Sequence, residues 1–136
     1  MKKFKLYVEN KEKAIEFYLT LLDKNLNEFR NSVVKNKFNK RMKERTYYKR
    51  IVDKSNLIRR IFGLLNNELS SLFINTKITK EEIGEDNYYV PYAEEYISQV
   101  IYKRDMYKKV FDTYASLIEE AEKYFDNKNE MMKGEI

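Results

Sequence analysis

PYAEEYISQVIYKRDMYKKVFDTYASLIEEAEKYFD, residues Pro91–Asp126, decides the fold. Ala93, Ile97, Val100, Arg104, Tyr107, Phe111, Tyr114, Ile118, Ala121 and Phe125 follow one another at alternating steps of four and three, and nine of these ten are apolar. A 3.5-residue repeat drifts slowly around a helix of 3.6 residues per turn. The spacing therefore predicts one helix over 91–126, about 50 Å long at 1.5 Å per residue, packed in a left-handed, coiled-coil-like manner. Pro91 suits its first turn, where an amide hydrogen would be unpaired anyway. Arg104 is the one charged member of the seam. A buried guanidinium needs a carboxylate or a route to water, so an acid on a facing helix is expected to pair with it and fix the register.

The same spacing recurs toward the N-terminus. Ile15, Leu19, Leu22, Leu26, Phe29 and Val33 predict a helix over 10–34, with Asn10 placed to cap it. Tyr47, Ile51, Ile58, Ile61, Phe62, Leu65, Leu69 and Leu72 form the core stripe of a middle helix expected over 38–74. Between that helix and Pro91 lies a connector, 75–90. In it Thr79 and Glu82 stand as a capping box, which predicts a short helical turn near 79–84. The alternation Phe4, Leu6, Val8 makes 1–9 an extended arm packed on the helices; pairing it with 71–78 as a two-stranded ribbon is the weaker reading. Residues 127–136 are expected to form a flexible tail.

Only three Gly and one Pro in 136 residues leave too few turn residues for a many-stranded fold. The expected fold is thus one all-α domain, 1–136: an antiparallel bundle of three long helices with coiled-coil-like seams. A short link joins the first two helices, which favours antiparallel neighbours unless they fuse into one rod and force dimerisation. Phe17, Leu21, Tyr102, Met106 and Tyr124 lie off their seams. They predict a self-association surface and a homo-oligomer.

The chain has no Cys and no His, which removes thiolate chemistry, the commonest metal ligand and the usual general base. No catalytic residue, cofactor or metal site is expected. The acids Glu81, Glu82, Glu85 and Asp86 lack the alternating positions and central Gly of a calcium loop. No apolar run is long enough to span a membrane or to form a signal-peptide core, so no membrane association is expected and a cytoplasmic location is. The abundance of Asn and Tyr is common in AT-rich genomes, including those of many phages and archaeal viruses. Were the source a virus, the host cytoplasm would be the compartment.

Charge is unevenly distributed. Counting Lys and Arg against Asp and Glu gives +2 over 1–34, +9 over 35–60, zero over 61–78 and −6 over 79–136. In 35–60 eleven basic residues face only Glu44 and Asp53, and before Tyr47 the cations are spread right around the helix axis, with no face left for a core. Such a segment stays available to something anionic. The candidate site is Lys37, Lys40, Arg41, Lys43, Arg45, Tyr47, Tyr48, Lys49, Arg50, Lys54, Arg59 and Arg60: cations to replace counterions on phosphates, and aromatic rings, with Phe38, to stack on exposed bases. The expected function is non-enzymatic binding of nucleic acid, or of a complex containing it. The alternative is an accessory or inhibitory module, of phage or viral type, that docks its basic helix on an acidic, nucleic-acid-binding groove of a host enzyme. A third reading is a structural or scaffold oligomer.

Thr79–Ile83 followed by Ala93–Ile101 is similar in wording to a helix-turn-helix, but the would-be recognition helix opens with Glu94 and Glu95, which phosphates repel. A long basic helix, the Thr79–Ile83 turn and a second long helix also resemble, over Tyr47–Asp112, the α-domain of GINS replication subunits. The small β-domain of that family has no counterpart in the sequence, and no family is assigned.

Overall fold

A computed structural model describes residues 2–35, 43–83 and 89–134. The described residues form an all-helical fold: α1 (Lys2–Glu28) passes into a π turn (Phe29–Val34), followed by α2 (Glu44–Ile83), α3 (Tyr89–Asp112) and α4 (Ala115–Gly134). Among the described residues there is no strand, and no helix is long and apolar enough to cross a membrane.

Within the expected arm 1–9, residues 2–9 are helix. Phe4 and Val8, four residues apart, are both buried and extend the seam of Ile15 and Leu19 backward, while Leu6 between them is 58% exposed. An alternation over three residues is also met by one helical turn, and seven residues from Val8 to Ile15 keep the helical phase. Lys11 bridges that gap by reaching Glu68 on α2 at 2.9 Å. Asn10 lies inside α1 and caps nothing.

The first helix ends in the wider π turn. The Ser32 hydroxyl donates to the Glu28 carbonyl at 2.5 Å and the Lys35 amide to the Arg30 carbonyl at 3.0 Å, five residues back. A side chain that competes for a backbone acceptor displaces the regular ladder. The wider turn keeps Phe29 and Val33 buried together.

α2 continues past the expected stop at residue 74 to Ile83, absorbing most of the predicted connector. Thr76 carries the stripe of Leu65, Leu69 and Leu72 one step further and is 3% exposed. Lys80 then pairs with Glu94 of α3 at 3.3 Å. Thr79 and Glu82 are therefore interior and terminal residues of one helix, not the start of a separate turn. The expected start near 38 lies outside the described residues.

The helix expected over 91–126 is broken at Thr113 and Tyr114. The Thr113 hydroxyl donates to the Val110 carbonyl at 2.6 Å, its amide is shared between the Lys109 and Val110 carbonyls at 3.2 Å each, and the Tyr114 amide turns to Phe111 at 3.0 Å. The ladder tightens to three-residue steps and the rod splits. Tyr114 then rests on Phe29, ring centroids 5.0 Å apart. Beyond the predicted end α4 runs on to Gly134, since no Gly or Pro interrupts 127–133.

Arg104 is half-buried and binds Asn66 of α2 at 3.1 Å and its own neighbour Asp105, rather than an acid on a facing helix. Its stem lies on the seam while its head reaches the rim, so no carboxylate need follow it inside. The pairs Tyr7–Asn75, Lys11–Glu68 and Lys54–Glu28 run α1 against α2 in opposite directions. Tyr96–Glu16 and Tyr107–Asp23 run α3 alongside α1 in the same direction.

Candidate functional site

The basic segment folds into two populations. Lys37, Lys40 and Arg41, with Phe38, lie outside the described residues. Lys43 immediately precedes α2, is exposed, and its carbonyl accepts the Tyr47 amide at 3.0 Å, the first bond of the helix. At about 100° per residue, Arg45, Lys49 and Arg60 fall on the stripe of α2 that points away from the core, and Arg50 sits on its α1 side. All four are exposed. Together with Lys43 they form no ion pair among the described residues. Asp53 is the acid interposed on that stripe. From Arg45 to Arg60 it extends about 22 Å at 1.5 Å per residue.

The remaining candidates serve the fold. Lys54 is held by Glu28 at 2.5 Å, a contact that keeps the Glu28 carboxyl below its ordinary range. Arg59 pairs with Glu122 of α4 at 3.0 Å and lies over the Phe111 ring at 5.9 Å. The two tyrosines turn inward. Tyr47 is buried, and burial raises its phenol. Tyr48 is half-buried, stacks on Tyr124 at 4.8 Å and donates to Glu120 at 2.8 Å, a bond that pushes its phenol up to about 12. Rings fixed in this way are not placed to receive a base. Tyr48 lies on the α4 side of α2, which periodicity alone does not reveal without knowing where α4 packs.

Two cations join the candidates: Arg30, which precedes the basic segment, and Lys35, its first residue. Arg30 and Lys35, at the end of the first helical hairpin arm, are exposed. The Lys54–Glu28 pair and the packing of the π turn on α2 put them at the same end of the bundle as Lys43 and Arg50. The antiparallel link between the first two helices was the signal that could have found them, because it folds the ends of both onto one tip.

The acids are gathered elsewhere. Between α1 and α3 runs an open groove of about 900 Å³, with Glu16 and Asp23 on one wall, Glu95 and Lys103 on the other, and Tyr102, Met106 and Val110 as apolar lining. The Tyr96 hydroxyl donates to Glu16 at 2.8 Å, and burial followed by that bond raises the Tyr96 phenol strongly. Tyr92, bonded to Glu12, is pushed up to about 12. Of the residues expected at a self-association surface, Phe17, Tyr102 and Met106 are exposed, whereas Leu21 and Tyr124 are half-buried against the core or its rim. Among the described residues no three acidic side chains converge on one point. Compared with protein families, with curated proteins and with solved structures, the chain matches none.

Proposed function

We propose that the protein is a non-enzymatic antiparallel bundle, its third rod broken at Thr113, that binds the phosphate backbone of nucleic acid. The contacts are Lys43, Arg45, Lys49, Arg50 and Arg60, with Arg30 and Lys35 at the same end of the bundle as Lys43. One observation carries this reading: these cations are exposed and have no ion-pair partner among the described residues, while Lys54 and Arg59 are each paired with a carboxylate of another helix. Neutralising phosphates releases condensed counterions, which gives affinity that ignores sequence and falls with salt. Because Tyr47 and Tyr48 are packed inward, base stacking adds nothing at those positions, and duplexes bind at least as well as single strands.

Fluorescence anisotropy with labelled duplex and single-stranded DNA and RNA at two salt concentrations tests it. Five phosphate contacts give a slope of log K against log salt of about −4 to −5. The variant Arg45→Glu, Lys49→Glu, Arg50→Glu loses binding to every sequence equally; unchanged affinity in that variant removes the proposal. A second reading is favoured by Leu57 and Leu64, exposed on either side of Arg60. It is an accessory module that docks this face on an acidic protein groove, and a pull-down from nuclease-treated lysate separates the two.

A further inference from the structure

Two incompletely satisfied surfaces face away from each other. In the α1–α3 groove Tyr102, Met106 and Val110 stand four residues apart, 68%, 52% and 44% exposed, an apolar strip with no core behind it to cover. Glu16, Asp23 and Glu95 border the strip, and none of the three has a cationic partner among the described residues. Phenols of Tyr96 and Tyr107 orient the first two without neutralising them.

The second surface is the outward stripe of α2. Leu57 and Leu64 border it on the α1 side, three residues before and four after Arg60, and Lys49 lies three turns before Arg60. α2 reaches α1 through Lys54 and Glu68, and α3 and α4 through Asn66 and Arg59, so this stripe points away from the groove. Within one chain the two cannot meet.

We infer that the α1–α3 groove receives the outward stripe of α2 from a second copy of the chain. Charge and shape both select this occupant. The groove offers three carboxylates against one cation, Lys103, beside an apolar strip, and the stripe offers the unpaired Lys49 and Arg60 against one acid, Asp53, bordered by leucines. Glu95 to Val110 and Lys49 to Leu64 each extend over about 22 Å at 1.5 Å per residue. Arg60 enters beside the carboxylates while Leu57 and Leu64, about 10 Å apart along the axis, cover the strip toward its two ends, Tyr102 and Val110. The two surfaces differ, so the contact is heterologous: each added copy leaves one groove and one stripe unfilled, and growth stops only by closing a ring. The contact does not rest on nucleic-acid binding.

Sedimentation velocity on the full-length, nucleic-acid-free protein tests it with two variants altered only at exposed positions. Glu95→Lys with Met106→Lys blocks the groove; Leu57→Asp with Arg60→Glu blocks the stripe. The unaltered chain is expected to form species larger than a dimer as concentration rises, and each variant alone to remain monomeric. An equimolar mixture of the two should form a one-to-one dimer that grows no further, because each variant supplies the surface the other lacks. A monomeric unaltered chain, self-association persisting in either variant, or a mixture that stays monomeric overturns the inference. Where circular dichroism shows a double variant unfolded, Tyr102→Lys and Leu64→Asp carry the same complementation test.

Discussion

At the scale of single residues, tyrosine is the connecting polar group between helices. Tyr48, Tyr92 and Tyr96 each place a hydroxyl on a carboxylate of another helix, Glu120, Glu12 and Glu16 respectively. All three phenols ionise later in the folded chain than in the unfolded one. A raised folded value means stabilisation that is complete below the unfolded value near 10 and is lost as pH climbs through the folded values. Melting temperature should therefore hold to about pH 10 and fall steeply toward pH 12, with phenolate absorbance appearing together with unfolding. A transition flat across that interval would show these bonds to be idle. Gly63 makes a second residue-scale case. A Cβ placed there meets nothing within 4 Å, so Gly63→Ala should stabilise a dilute sample by about 0.8–1 kcal/mol, the helix-propensity difference, measured by denaturant titration.

At the scale of elements, α2 shows what periodicity could and could not reveal. Its stripe from Tyr47 to Leu72 is legible because eight apolar residues keep one phase, and all eight are buried. Its last turns were hidden because Thr76, a polar residue by type, occupies a core position there. The Thr76 hydroxyl is buried without a hydrogen-bond partner among the described residues. Thr76→Val keeps the shape and removes that group, and should raise stability by roughly 1–3 kcal/mol; a loss in thermal denaturation would mean the hydroxyl has a role in holding α2 together. The arm at 1–9 failed for the opposite reason, since three residues cannot distinguish period 2 from period 3.6. The break at Thr113 left no composition signal at all, because the seam of Phe111, Tyr114 and Ile118 passes through it unaltered in spacing. In the candidate site, the excess of charge was legible from counting, but the sorting of Lys54 and Arg59 into ion pairs, of Tyr47 into the core and of Tyr48 against α4 required knowing which helices flank α2.

At the scale of the molecule, unpaired cations occupy one side and acids flank an apolar groove on another. Both proposed associations draw on Lys49 and Arg60, so a polyanion and a second copy compete for the same stripe. A short duplex added to associated protein should lower its sedimentation coefficient toward that of a one-to-one complex, and an increase instead would mean the two sites are separate. The split rod has a further effect. α4 is joined to the rest by two non-helical residues and contributes only Ile118 and Ala121 as fully buried anchors among its described residues, against four buried side chains of α3 between Val90 and Val100. Detaching it forfeits little of the interior, so the chain can open in stages. In native-state amide exchange, protons of residues 115–127 should be replaced by deuterium before those of 93–104.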